Sequence, residues 1–133
     1  MSYRFVDHTA ELELEIDAPT RAGVFEHAVL ALGELLGRDG GTEGVSRTRA
    51  LSVEAGDDPA LLAAWIDEIV FVAETEGLVP RRIERIDAGP SVVRALVSFT
   101  EGTPPHAIKG ATYHDLELCR HGETWRGRVV LDV

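Results

Sequence analysis

Residues 11–17 read Glu-Leu-Glu-Leu-Glu-Ile-Asp, a strict alternation of acidic and aliphatic side chains. Successive side chains of a β-strand point to opposite faces, so this pattern predicts a strand with one buried and one solvated face. A second alternation fills residues 125–133, with Val129 and Leu131 on one face and Arg128 on the other. If these two strands are neighbours, the first and last parts of the chain lie side by side in one sheet.

Two helices are predicted between these strands. One follows Pro19-Thr20, has apolar residues at helical spacing as far as Leu36, and is stopped by Gly37. The other begins at Asp58-Pro59, because an aspartate N-cap accepts hydrogen bonds from free amide groups and proline suits the first helical position. It ends before Gly77, which suits a left-handed cap.

The remaining strand-like segments are short and apolar or alternating. They lie at residues 3–6, 45–55, 82–87, 91–100 and 109–119. Strands grouped around two helices, with a strand-rich second half, indicate an α+β fold. We expect a two-layer sandwich in which both helices cover one face of a mainly antiparallel sheet. At 133 residues, without a repeat or an inter-domain linker, the chain is expected to form a single domain over residues 1–133.

The composition is that of an ordinary globular protein. Apolar residues make up 44% and charged residues 27% of the chain. No stretch approaches the roughly 20 apolar residues of a transmembrane helix, and the first residues lack the apolar core of a signal peptide. Cys119 is the single cysteine, so an internal disulfide is excluded, and we interpret it as a small strand residue near a turn. We expect a soluble, cytoplasmic protein without membrane contact.

The charge distribution argues against nucleic-acid binding. The net charge is -10, and 16 of the 23 acidic side chains lie within the first 80 residues. Proteins that bind nucleic acid directly use lysine and arginine to displace counter-ions from phosphates, and this chain has an acidic excess instead. The charge favours binding a cation or a basic protein surface, although a surplus of solvated carboxylates that serves only solubility explains it equally well.

Acidic residues at both ends of the chain are candidates for a metal site. Asp7-His8-Thr9-Ala10-Glu11 follows the first apolar stretch, and Asp132 precedes Val133. If the terminal strands are adjacent, the carboxylates of Glu11, Asp132 and Val133 converge. Three carboxylates at short range favour a counter-ion, and oxygen ligands suit hard ions such as calcium or magnesium better than zinc. The alternative is that these carboxylates are simply solvated.

Four segments of the sequence resemble the archease family, in the same order and spacing along nearly the whole chain. They are Phe5-Val6-Asp7-His8-Thr9-Ala10-Glu11, Thr75-Glu76-Gly77-Leu78, Ile108-Lys109-Gly110-Ala111-Thr112-Tyr113-His114 and Trp125-Arg126-Gly127-Arg128-Val129-Val130-Leu131-Asp132-Val133. Two positions depart from the family pattern. Glu11 stands where an aspartate is usual, and Gly110-Ala111 replaces Ala-Val.

The resemblance implies a role as an accessory protein. Archeases assist the GTP-dependent RNA ligase that joins 3′-phosphate to 5′-hydroxyl RNA ends in tRNA splicing and RNA repair, by promoting guanylylation of the ligase and its multiple turnover. It further implies that the chain has no catalytic residues of its own. The family's metal site corresponds to Glu11, Asp132 and Val133, with calcium the first choice and magnesium or manganese the alternatives.

Other polar residues lie close to these motifs in the sequence. Asp7 and Lys109 are expected to support the site or to face the partner, and His8 and His114 could meet each other or the ion if their strands neighbour, which would allow acid–base chemistry. Structural histidines are the simpler interpretation, because no nucleophile accompanies them. Two other functions remain open: a stand-alone metal-dependent phosphoester hydrolase, and a chaperone or modulator of a tRNA-modifying methyltransferase.

Overall fold

The computed structural model describes residues 2–8, with the backbone alone at residues 7 and 8, and residues 11–37, 44–102 and 108–133. Its elements follow in the order β1 (Ser2–His8), β2 (Glu11–Ala18), α1 (Arg21–Leu36), β3 (Ser46–Glu54), α2 (Asp58–Glu76), β4 (Leu78–Ala88), β5 (Val92–Glu101), β6 (Gly110–His121) and β7 (Thr124–Asp132). The α+β prediction is confirmed, and every predicted helix and strand is present.

The strands form two antiparallel sheets rather than the single sheet that we expected. One has four strands in the order β1-β2-β7-β6, and the other has three in the order β3-β5-β4. Both helices contact strands of both sheets, so the helices join the two sheets through a common core. Sequence periodicity identifies strands but not their hydrogen-bonded partners, which explains why one sheet could not be distinguished from two.

The alternation in β2 is confirmed in the four-stranded sheet. Leu14, Ile16 and Ala18 are buried, whereas the acidic residues between them lie on the face away from the helices. β2 pairs with β7, so the two alternating strands that the sequence suggested as neighbours, residues 11–17 and 125–133, are hydrogen-bonded partners along their length. On β7, Val129 and Leu131 are fully buried, as their alternation predicted.

Both helices begin and end through local signals in the sequence. Thr20 caps α1 by accepting a hydrogen bond from the Gly23 amide at 3.0 Å. For α2 the predicted cap was one residue out: Asp57 is the N-cap and accepts from the Ala60 amide at 2.8 Å, while Asp58 is the first helical residue. Gly77 ends α2 in the left-handed conformation at φ 64°, as predicted.

Asp58, predicted as the N-cap of α2, forms an ion pair instead. Its carboxylate forms a two-point ion pair with Arg21, with oxygen–nitrogen distances of 2.7 and 3.2 Å, and so links the first turns of the two helices. Two acidic residues in succession before a proline leave the capping position ambiguous by one residue, because either carboxylate can accept from the first helical amides.

Apolar side chains of both helices and both sheets form one continuous core. At its centre Trp65 of α2 packs edge-on against Phe25 of α1, and its indole N–H donates to the Phe25 carbonyl at 3.2 Å. Both side chains are fully buried. Neither α1 nor α2 combines the length and the apolar character of a membrane-spanning helix.

Candidate metal centre at the chain ends

The outward face of the four-stranded sheet is organised in rows of residues that lie opposite one another across the strands. One row runs Arg4, Glu15, Arg128 and Glu117 over β1, β2, β7 and β6. Charges of opposite sign therefore alternate along this row. The Arg4 guanidinium reaches the Glu15 carboxylate at 3.0 Å, and this hydrogen bond holds the pKa of Glu15 below its usual range. Opposite charges at facing positions stabilise a sheet.

The row at the far end of the same sheet places two acidic residues opposite each other. It consists of His8, Glu11, Asp132 and Gly110. Glu11 and Asp132 are direct partners across the ladder, so two carboxylates face each other where the other row places an arginine. Like charges at facing positions destabilise a sheet. Among the side chains that the structure describes, none forms an ion pair with Glu11 or Asp132.

The end of β7 is held by the segment that leads into β6. The Lys109 amide donates to the Asp132 carbonyl at 2.8 Å, and the Ala111 amide donates to a carboxylate oxygen of Asp67 on α2 at the same distance. Gly110, between them, has φ 149°, and a β-carbon at this position would lie 3.0 Å from that oxygen. Glycine at this point therefore has a local steric reason, because α2 approaches the backbone closely.

A surface depression of about 280 Å³ adjoins this segment. Lys109, Asp67 and Phe71 line it, and the Phe71 side chain is 61% exposed. Tyr113, farther along β6, is 73% exposed. Exposed aromatic side chains next to polar groups are common at protein–protein contacts.

The structure locates the other predicted site residues as follows. Val133 follows the end of β7 and is 47% exposed. Asp7 and His8 lie on β1 opposite Leu12 and Glu11 in backbone register, and their side chains lie outside the described part of the chain, as do Thr9 and Ala10.

The suggested meeting of His8 and His114 is wrong. β1 and β6 are the two outer strands of a four-stranded sheet, so three strand spacings, about 14 Å, separate them. His114 is largely exposed and lies 3.2 Å from the neighbouring Asp115 carboxylate. Asp115 itself has φ 53°, and the regular pairing of β6 with β7 is interrupted between Thr112 and Glu117. The condition for a meeting of His8 and His114, that their strands neighbour each other, is therefore not met.

One polar cluster was missed at the sequence level. Glu117, Cys119 and His121 alternate along β6, and their ligand atoms lie within 4.8 Å of one another. The interpretation of Cys119 as a small strand residue does not include this cluster, although its spacing of two from Glu117 and from His121 places all three on one face of a strand. Hydrogen bonding to Glu117 and burial raise the pKa of the Cys119 thiol, which favours its protonated form.

Comparison with known families gives a match over almost the whole chain. The model of the Archease protein family matches residues 3–133. Among curated proteins, the chain is similar to a probable protein archease of Mycobacterium tuberculosis, with 32% identity over 135 residues that cover 98% of this chain and 74% of the relative. It is 29% identical to a protein archease of Methanosarcina acetivorans over 140 residues, which cover 98% of this chain and 95% of that protein.

Solved structures share the fold. Protein 1598 of Methanobacterium thermoautotrophicum matches with a TM-score of 0.75 and 23% identity, over 98% of each chain. An archease from Thermotoga maritima, described as a possible chaperone, matches with a TM-score of 0.71 and 20% identity, over 96% of this chain and 94% of that one. At these identities the likeness concerns the fold alone.

Proposed function

Because this chain belongs to the archease family, we propose that it is a non-catalytic, metal-binding accessory protein of a GTP-dependent RNA ligase in tRNA splicing and RNA repair. In this role it promotes guanylylation of the ligase and its multiple turnover. The proposal includes a cytoplasmic location, in keeping with a chain that has one cysteine and no internal disulfide.

The facing pair of Glu11 and Asp132 is the observation that carries this proposal. Elsewhere on the same face Glu15 and Asp17 each contact an arginine, Arg4 and Arg126 respectively. The sheet pairs these two acids with arginines but places Glu11 directly opposite Asp132, and a bound cation would offset these two like charges at facing positions.

The donor set suits a hard divalent ion. We propose Glu11, Asp132 and the carboxylate of Val133 as ligands, and calcium as the ion, with magnesium or manganese as alternatives. Carboxylate oxygens are the ligands that calcium prefers, and a glutamate is able to bind it through both oxygens. When bound, the ion would supply positive charge and open coordination positions at this end of the sheet. Lys109 holds the backbone of Asp132, while Asp7, His8 and His114 are proposed as supporting or partner-facing residues.

The partner-facing surface is proposed to include this end of the four-stranded sheet and the adjoining depression. Phe71 lines the depression and Tyr113 lies farther along β6, and both offer exposed aromatic area of the kind that protein partners commonly use as anchors. The net charge of -10 supports a protein partner over direct RNA contact, since phosphates would be repelled.

The accessory role is tested with the cognate GTP-dependent ligase, GTP, a divalent metal and RNA ends. We expect the protein to raise both the rate of ligase guanylylation and the number of ligations per ligase molecule. Glu11→Ala and Asp132→Ala should each abolish this stimulation, because each removes one of the two facing carboxylates.

A matched control comes from the other sheet. Glu54 is an exposed acid on β3, so Glu54→Ala changes the net charge by the same amount without altering the proposed site, and stimulation should persist. Circular dichroism of every variant separates loss of the site from loss of the fold. Unchanged guanylylation and turnover with the wild-type protein would overturn the proposal.

A second candidate function is supported by the structural neighbour from Thermotoga maritima, which is described as a possible chaperone. On this reading the chain modulates a tRNA-modifying methyltransferase, and co-purification from native cells would recover a methyltransferase in place of the ligase. The remaining alternative, a stand-alone phosphoester hydrolase, requires metal-dependent hydrolysis of small phosphoesters by the purified chain without any partner.

A further inference from the structure

Three different metal-ligating groups meet on the outward face of β6. The Cys119 sulfur lies 2.9 Å from a Glu117 carboxylate oxygen and 3.1 Å from Nε2 of His121, and the same imidazole nitrogen lies 3.0 Å from the same carboxylate oxygen. The three atoms thus form a small triangle. Each of them is an atom through which its residue binds metals.

The triangle is produced by strand geometry. Glu117, Cys119 and His121 alternate with Leu118, which is buried against the core, so all three point away from the helices. β6 is an outer strand of its sheet, and Gly122 turns the chain with φ 63° directly after His121. The cluster is therefore open to solvent, with the Glu117 and His121 side chains 28% and 48% exposed.

The spacing is close to that of a tetrahedral zinc site. Zinc binds sulfur at about 2.3 Å and nitrogen or oxygen at about 2.0–2.2 Å, which places its tetrahedral ligands about 3.3–3.7 Å apart. Each side of the triangle must open by less than about 0.8 Å, within the reach of side-chain torsions on a solvent-facing strand. A set of one thiolate, one imidazole and one carboxylate suits zinc and disfavours calcium.

Two arginines border the cluster. Arg126 lies opposite Cys119 and Arg128 opposite Glu117 on β7. Arg126 hydrogen-bonds to Asp17 at 3.3 Å, and Arg128 also lies opposite Glu15, so acidic groups on β2 offset both positive charges. The repulsion that a cation would meet at the cluster is reduced accordingly.

We propose that Glu117, Cys119 and His121 form a second metal site, which binds zinc through three protein ligands and one water molecule. Binding displaces the thiol proton of Cys119 to solvent, so the ligand is the thiolate. The site is independent of the proposed calcium centre. Cys119 is paired six residues along β7 from Asp132, a separation of about 20 Å.

Cobalt titration of the purified, reduced protein provides the direct test, because Co²⁺ occupies zinc sites and reports its ligands. We expect a thiolate-to-cobalt charge-transfer band and the intense visible bands of tetrahedral Co²⁺, both bleached by one equivalent of Zn²⁺. Cys119→Ser should remove the charge-transfer band. Glu117→Gln and His121→Gln should each weaken zinc binding by about tenfold or more, as expected when a group that supports a metal is lost.

His114→Gln and Asp132→Asn are the matched controls. His114 lies on the same strand and is exposed, but its ion-pair partner is Asp115 and not one of the three cluster residues. Its replacement should therefore leave the cobalt spectrum unchanged. Asp132→Asn should leave the spectrum unchanged as well, because it alters only the chain-end site. Absence of the charge-transfer band in the wild-type protein, or its persistence in Cys119→Ser, would overturn the second site.

Discussion

At the scale of single residues, the neighbour across the strand decides what an acidic side chain does. Glu15 and Glu11 lie on the same strand and the same face, four residues apart. Glu15 contacts Arg4, which stabilises its charge, whereas Glu11 faces Asp132, whose charge has the same sign. In the sequence of residues 11–17 the acidic residues cannot be told apart. Only the register with β1 and β7 distinguishes Glu15, which forms a structural ion pair, from Glu11, which is a candidate metal ligand.

A buried histidine gives a pH-dependent prediction at this scale. His27 on α1 is 9% exposed, and burial lowers its pKa below the ordinary value of 6.5. Its Nδ1 has no hydrogen-bond partner among the described residues. Between the folded and unfolded pKa values the unfolded chain binds more protons at this group, so its contribution to stability is present above pH 6.5 and is lost as the pH falls towards the folded pKa.

We therefore expect His27→Gln to be less sensitive to acid than the wild-type protein. Urea unfolding between about pH 5 and 8 measures the free energy of unfolding of both proteins. Below pH 6.5 this free energy should fall more steeply for the wild-type protein than for the variant. The exposed His114→Gln variant should follow the wild-type profile. A difference between His27→Gln and wild type that stays constant with pH would contradict the assignment.

At the scale of elements, the helices are delimited by caps and positioned by close contacts with strands. Gly33 of α1 lies so near the Pro80 carbonyl of β4 that an added β-carbon would come within 2.3 Å of that oxygen. Asp67 of α2 fixes the start of β6 through the Ala111 amide. α1 is thus in close contact with a strand of the three-stranded sheet, and α2 is hydrogen-bonded to a strand of the four-stranded sheet. The α2 contact lies next to Lys109, whose amide binds the Asp132 carbonyl.

The capping assignment of α2 is testable by substitution. Asp57→Ala removes the acceptor of the Ala60 amide and should lower the free energy of unfolding by about 1 kcal/mol. Asp57→Asn should retain most of that stability, because asparagine caps helices about as well as aspartate does. Chemical denaturation of the three proteins decides the point, and equal losses in both variants would show that charge, rather than capping geometry, is what Asp57 supplies.

At the scale of the whole molecule, the four-stranded sheet brings the two ends of the chain together. Glu11 and Asp132 lie 121 positions apart in the sequence and are direct partners in the sheet. Because β2 and β7 are paired in the folded protein, a change in the charge or the ligand at Glu11 and Asp132 should change the free energy of unfolding of the whole domain. Any ligand that binds the folded pair and not the unfolded chain stabilises the entire domain.

Calcium should consequently raise the stability of the wild-type protein. At a free calcium concentration 100-fold above the dissociation constant, the gain is about 2.7 kcal/mol for a single site. Without calcium, Asp132→Asn should be at least as stable as wild type, because it removes one of two like charges at facing positions. It should gain nothing when calcium is added.

Thermal unfolding with and without calcium measures both effects. Glu15→Gln is the matched control: it removes an acid from the same face and breaks the contact with Arg4, yet it should keep the full calcium response. An equal calcium response in Asp132→Asn and wild type would assign the binding to other carboxylates.

The sequence by itself determined the α+β class, the position of both helices and all strands, and the burial pattern of β2, because side-chain periodicity and capping residues act locally. It also identified the motifs that mark the archease family. The residue that caps α2 was displaced by one, since neighbouring aspartates carry equivalent local signals.

Only the tertiary structure decided the division of the strands into two sheets, the separation of His8 from His114 by the width of a sheet, and the facing of Glu11 and Asp132. Each of these depends on which strands pair and in what register, and register is set by packing between residues distant in sequence. The Glu117, Cys119 and His121 cluster has its face defined by the sequence, but the contacts among the three side chains required the folded strand.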